Sequence, residues 1–423
     1  RRCRAWACGF GLLRPSWHNF NRRWYRLIWP ALILMSIALC ALIPATPDRL
    51  PVLVMGFYWL ASMMGQIFAL PLLIGSAVLA TFAGKIALWL LVGAAAVFAV
   101  VHLRNRQAAR VLLAAVGLTV TRVSLLAGLT PFLTGRGKTR RISDLAYGEA
   151  GKRNLLDVVV PRAPPSGAMP VLIHLHGGAW TIGNKNEQGK PLLHHMAARG
   201  WVCFDVTYRL GPNSRGPDWI VDVLRAIAWV REHAAEYGGD PDRIAITGGS
   251  AGGHLAALAA LTHDDPAFKP GFEYADCSVA AAVPLYGRYD FLDRNLRLKR
   301  NHAAVIDKFM AVKVMPGPPD SCRNLWHAVS PLDRVRKDAP PMLIVHGTGD
   351  TMLPWQDAGD FADSLRAISD AQVSFVRLPG IQHAWDMAGS AATWGHVRAV
   401  AAFLAPLETP GQAFLPVGAR GLP

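Results

Sequence analysis

Along the first third of the chain the hydrophobic positions run together without a polar face. Along the rest they come in short bursts separated by amphipathic stretches. Residues 27–43 (LIWPALILMSIALCALI) carry no charge, and residues 51–79 are almost wholly apolar apart from Gln66. A third run, 86–101, follows a break at Gly84-Lys85, and a weaker fourth, 111–133, has Arg122 in its middle. A membrane-crossing helix needs about 20 apolar residues. None of these runs repeats polar residues at helical spacing, as a half-exposed helix would. The pattern therefore predicts a transmembrane region of three to four helices over residues 27–134. It is far longer than the ~7–15-residue apolar core of a cleaved signal peptide. An arginine at mid-helix costs about 2.5–3.5 kcal/mol on insertion, so the fourth run suits the membrane interface as well as a crossing.

From about residue 142 the pattern changes to strand-length apolar runs at 155–160, 171–175, 202–207, 244–247, 279–285, 342–345 and 373–378. Helical stretches lie between them, at 218–237, 251–261, 355–368 and 393–404. This alternation predicts an α/β domain with a doubly wound, mostly parallel sheet over residues 135–410. Residues 288–329 are long, charged and weakly periodic between two strands, as a lid insertion is. Residues 411–423 read as a disordered tail and residues 1–26 as a basic N-terminal segment.

Charge separates the two halves. The chain has 44 Lys and Arg against 29 Asp and Glu, a net charge of +15. Up to Ser143 there are 17 basic residues and a single acid, Asp48, so the remainder is close to neutral. That distribution excludes a basic nucleic-acid-binding domain and fits basic flanks on a membrane region. Seven arginines precede the first apolar run and only Arg49 follows it, which predicts a multi-pass cell-membrane protein with a cytoplasmic N-terminus. The second half of the chain faces the cytoplasm with four spans and the opposite side with three. The basic run 135–141 suits anionic headgroups or a plain linker. The six cysteines show no metal or disulfide spacing. The chain opens on Arg1 rather than Met, as a fragment or a processed product does.

The chemistry lies in the second half. Gly248-Gly249-Ser250-Ala251-Gly252 falls between a strand and a helix, where a GxSxG forces a tight turn and lifts the serine hydroxyl above the sheet. Such a serine needs a histidine base with a carboxylate behind it. Asp350, in HGTGD after the 342–345 strand, and His383, in PGIQHAW after the last strand, are placed for those roles; Asp360, Asp363 or His396 are the substitutes. Gly177 and Gly178, directly after the 171–175 strand, and Ala251 at the helix start offer backbone N–H groups for an oxyanion. Trp180, and less firmly Tyr286, would wall the substrate pocket. His174 and His346 read as core histidines and His194-His195 as solvated helix surface. His254 reads as packing near the nucleophile helix, His396 as a surface residue and Tyr208-Arg209 as a buried brace. No metal and no organic cofactor is required.

Together HGGAW (176–180), Tyr208-Arg209-Leu210, GGSAGG (248–253), HGTGD (346–350) and Gln382-His383 resemble the hormone-sensitive-lipase-like branch of the α/β-hydrolases. These are carboxylesterases with an HGG oxyanion motif. The resemblance covers about residues 142–406, and the nearer likeness is to membrane-tethered bacterial esterases. It implies an α/β-hydrolase fold and a carboxylic ester hydrolase with catalytic Ser250, Asp350 and His383, in the chain order of that family. Two features depart from the pattern. Gly249 stands where the family often has Asp, and a membrane region replaces the usual helical cap. The expected partners are an ester with an apolar acyl group and membrane lipids. An amidase of the formamidase type and a non-catalytic membrane binding protein are the alternatives.

Overall fold

The computed structural model describes residues 27–43, 52–118, 123, 136–163, 166–298, 300–409 and 414. The expected basic segment 1–26, most of the 111–133 run and nearly all of the 411–423 tail lie outside them.

Four helices open the described chain: α1 (Ile28–Leu42), α2 (Val52–Ile67), α3 (Ala69–Ala80) and α4 (Lys85–Ala115). The 51–79 run is not one helix, because α2 and α3 meet at a bend of 85°. Pro71 accounts for it: a proline ring clashes with the carbonyl four residues back, here that of Ile67. The 86–101 run and the start of the 111–133 run are one helix, α4, whose 31 residues extend about 46 Å. Among the described residues α4 is the one helix long and apolar enough to cross a membrane, with the bent pair as a broken second. Helix α1, at 15 residues, reaches about 22 Å and falls short of a ~30 Å hydrocarbon core. By length and composition the described residues hold one helix fit to cross a membrane, or two with the bent pair counted, against the three to four helices expected over residues 27–134.

Alanines let these helices approach closely. Ala31 packs with Ala87 and Leu91, Ala38 with Ala94 and Phe98, and Ala41 with Ala69 and Val101. The outward faces leave Phe82, Phe57 and Trp89 about three-quarters exposed, at 77%, 75% and 74%. So much uncovered apolar surface marks an interaction face rather than a water-facing one.

The sheet has eight strands: β1 (Thr139–Ala146), β2 (Leu155–Pro161), β3 (Met169–Leu175), β4 (Val202–Val206), β5 (Gly239–Gly249), β6 (Ala281–Leu285), β7 (Met342–Gly347) and β8 (Val373–Leu378). Their order is β1-β2-β4-β3-β5-β6-β7-β8. The β1–β2 and β2–β4 pairs are antiparallel and all others parallel. Seven strands fall on the expected runs. β1 was not among them, because its polar, alternately exposed residues suit the solvent side of a sheet edge and read as a basic linker.

Alternation along the strands fills two cores. Val171, Ile173, Phe204 and Ile246 face α6 (Asp218–His233) and the wholly buried α7 (Ala251–Thr262). Leu172, Cys203, Ala245 and Leu343 face α5 (Lys190–Ala198) and α11 (Ala391–Phe403). Ala108 and Leu112 of α4 join this second core, so the long helix runs on into the α/β domain. The 288–329 segment is built rather than irregular. It carries α8 (Arg300–Phe309), a π-helical turn at Met310–Val314 and α9 (Pro319–Ala328), with Met310, Val314 and Trp326 buried in the first core. Helix α10 (Trp355–Ile368) follows β7.

Candidate active site

Strand β5 ends at Gly249 and α7 begins at Ala251, so Ser250 is the whole connection. Its backbone stands at φ 58°, ψ −118°, a conformation costing about 1–3 kcal/mol that persists only where the surroundings fix it. Here the Ser250 N–H donates to Leu285 O (3.0 Å) and the His254 N–H donates to Ser250 O (2.9 Å).

The loops after β7 and β8 bring the other two groups to it. His383 Nε2 lies 2.9 Å from Ser250 Oγ, and His383 Nδ1 lies 2.6 Å from Asp350 Oδ2. Asp350 is fully buried. Its Oδ1 accepts from the N–H groups of Met352 (2.8 Å) and Leu353 (2.9 Å), and its Oδ2 also accepts from His346 Nε2 (3.0 Å). Burial alone would raise this carboxyl, but the two histidines outweigh it and hold Asp350 below the usual carboxylate range. His346 is thus a second support of the carboxylate, missed when it was read as plain core. The HxxxD spacing of 346–350 was the available signal. The substitutes are elsewhere: Asp360 pairs with Arg297 and Asn295, and Asp363 with Arg366.

The three oxyanion candidates differ in what surrounds them. Gly178 stands at φ +125°, and an added Cβ would meet Ile182 O at 2.1 Å, so only glycine fits. Among the described residues the Gly178 and Ala251 N–H groups donate to nothing. The Gly177 N–H, expected to be unobstructed, donates to Gln188 Oε1 at 2.7 Å. Trp180 packs beneath this loop: its Nε1 donates to His254 Nδ1 (3.2 Å) and its ring meets Phe291 edge-on. Tyr286 lies with its ring 4.7 Å from that of His383 and donates its hydroxyl to Asp386. A Cβ at residue 249 would come within 2.3 Å of this hydroxyl, so the aspartate common at that position has no room here.

The other histidines mostly lie inside. His174 pairs with Asp205 (2.8 Å), and Tyr208 donates to His176 O (2.7 Å) while Arg209 pairs with Asp222. His396 is buried against Trp385 rather than on the surface. His194 and His195 are half-buried rather than solvated. Burial pulls His176 down to about 4, His254 to about 3 and His396 to about 4. An unfolded histidine titrates near 6.5, so below that pH the unfolded chain takes up protons the folded one refuses. The stability these rings supply is complete above pH ~6.5 and falls by about 1.4 kcal/mol per pH unit per ring on the way to pH ~4. Melting in detergent should show Tm dropping steeply from pH 6.5 to 4.5, less steeply in His254→Gln. A flat profile would contradict the burial of these rings.

A doubly wound, mostly parallel sheet carrying a serine on its strand–turn–helix elbow, with histidine and aspartate on later loops, defines an α/β-hydrolase. Residues 156–365 match a family model described as BD-FAE. LipC, an esterase of Mycobacterium tuberculosis, is 39% identical over 65% of this chain and 68% of its own. The chain belongs to the hormone-sensitive-lipase-like carboxylic ester hydrolases. LipM, a probable carboxylic ester hydrolase of M. tuberculosis, is 46% identical over 62% of this chain, and this chain spans only 60% of LipM. Among solved structures, butyrate-bound esterase Est2 of Thermogutta terrifontis superposes with a TM-score of 0.54 at 26% identity, over 63% of this chain and 95% of its own.

Proposed function

We propose that this protein is a carboxylic ester hydrolase that works through an acyl-enzyme on Ser250. The hydrogen-bonded chain from Ser250 Oγ through His383 to Asp350 carries the reading. Ser250 Oγ attacks the ester carbonyl while His383 Nε2 takes its proton; the C–O bond to the alcohol then breaks and His383 returns the proton to the leaving oxygen. Water repeats the sequence on the acyl-enzyme and releases the acid. Asp350 keeps the Nδ1 proton in place and stabilises the imidazolium. The N–H groups of Gly178 and Ala251 face the developing oxyanion, and that of Gly177 joins them once Gln188 turns away. Trp180 supports this loop from below, and Tyr286 bounds the pocket beside His383.

The same proposal gives residues 27–134 the role of a membrane anchor, 135–410 that of the catalytic domain and 288–329 that of a lid over the pocket. The uncovered apolar faces of α1–α4 support the anchor. The N-terminus then lies in the cytoplasm and the substrate is an ester with an apolar acyl group taken from the lipid phase. Hydrolysis of p-nitrophenyl esters of increasing acyl length by detergent-solubilised protein tests this. Longer acyl groups should raise kcat/KM, by about 0.8 kcal/mol per buried CH₂, or close to fourfold, until the pocket is filled. Equal rates for all lengths would remove the lipid-derived substrate, and hydrolysis of matched amides but not esters would overturn the esterase reading.

A further inference from the structure

Gln66 is the side chain that interrupts the apolar 51–79 run, and its one side-chain contact with a neighbouring helix, a long hydrogen bond from Nε2 to Ala41 O (3.4 Å), leaves its oxygen unaccounted for. It lies on α2 just before the bend and is 5% exposed. A buried primary amide is costly unless its oxygen and its nitrogen both find partners. It finds them on the turn that presents His383. Gln66 Oε1 accepts from the Gln382 N–H at 2.7 Å, and Gln66 Nε2 donates to Gly380 O at 2.9 Å. One amide therefore grips the turn on both sides, as a neighbouring strand would.

The next link is Gln382, fully buried beside the histidine. Its Oε1 accepts from the N–H of His383 (2.9 Å) and from the N–H of Thr351 (2.8 Å), the residue after Asp350. Its Nε2 donates to Ser62 Oγ of α2 at 3.3 Å. The backbones that carry the base and its carboxylate are thus tied to one side chain, and a helix of the apolar region holds that residue at two points, the side-chain amide through Ser62 and the backbone N–H through Gln66. Asn105 of α4 fixes that helix in turn by donating to Gln66 O at 2.7 Å. Met63 and Ile67 pack on Ala384 and Ala388, and Trp59 meets the His383 ring edge-on at 6.5 Å. From the opposite side the turn is held by Thr348 Oγ1, which accepts from the Gly380 N–H (2.8 Å).

We propose that Gln66 is a positioning residue for the esterase reaction, holding the 380–383 turn through Gln382 so that His383 reaches Ser250 and Asp350 together. The apolar N-terminal helices are on this view part of the catalytic apparatus as well as an anchor. The inference rests on the assignment of Ser250, His383 and Asp350 above.

The test uses the full chain in detergent, with p-nitrophenyl ester hydrolysis, fluorophosphonate labelling and melting measured on the same preparations. Gln66→Met keeps the shape and removes both hydrogen bonds to the turn, together with the longer one to Ala41 O. It should remain folded and lower kcat and the labelling rate together by about 10- to 100-fold, with KM changed less than about twofold. The acid limb of its kcat/KM profile should move to lower pH, because a looser Asp350–His383 contact stabilises the imidazolium less. Gln66→Glu, which protonated is isosteric and both accepts and donates, should recover most of the lost rate at the acid end of that profile. A wild-type kcat and pH profile in folded Gln66→Met overturns the proposal and leaves the Ser250 assignment standing. So does activity that falls only in proportion to the folded fraction. Absence of labelling in the wild type overturns both.

Discussion

Ser250→Ala should abolish fluorophosphonate labelling and lower ester hydrolysis about a millionfold, to a residue owed to binding and the oxyanion donors alone. The size follows from geometry. Among the described residues Ser250 Oγ is the hydroxyl that lies against His383 Nε2, at 2.9 Å, on a turn whose strained backbone is held by the Leu285 carbonyl. No water held near His383 replaces it efficiently, because the effective concentration of a positioned hydroxyl far exceeds that of solvent. Removing the hydroxyl leaves every packing contact of Ala251–Thr262 in place, so melting should be unchanged. Labelling that persists in Ser250→Ala would place the nucleophile elsewhere and sink the mechanism.

How much of this site was legible in the sequence depended on whether a contact was local. Ser250 and Gly178 announce themselves because a strand–turn–helix reversal leaves few residue choices within five positions. Asp350 and His383 could be found by order, since each follows a strand: β7 is buried throughout, and β8, at the sheet edge, is mostly half-buried. The remainder is made where side chains meet across loops, some near in the chain and some far apart. His346 looks like any core histidine until Asp350 is seen to share its Nε2–H. The Gly177 N–H looked open because nothing in HGGAW foretells Gln188. His396 looked exposed because nothing in the helical stretch 393–404 shows that its ring packs on Trp385. Pro71, by contrast, was a local signal for the break in the 51–79 run, outweighed there by the length of apolar sequence around it. Gln66 stood out as an exception to that pattern, and only the fold supplied its partner.

Asp350→Asn should lower kcat about 10⁴-fold with KM nearly unchanged. The carboxylate accepts four hydrogen bonds, from His383, His346 and the N–H groups of Met352 and Leu353, and it donates none. An amide of the same shape must aim its NH₂ at one side. If the NH₂ faces His383, it pushes the ring into the tautomer with the proton on Nε2, which cannot accept from Ser250. If it faces Met352 and Leu353, donors meet donors in a fully buried place and the loop is destabilised. Either orientation also removes the charge that stabilises the imidazolium, so the loss appears in the chemical step rather than in binding. Asp360→Asn is the matched control: Asp360 pairs with Arg297 on the surface and its replacement should leave kcat unaltered. If instead Asp350→Asn kept kcat within about tenfold of wild type while Asp360→Asn lost it, the carboxylate behind His383 would have to be reassigned and the 380–383 loop would be required to move before reaction.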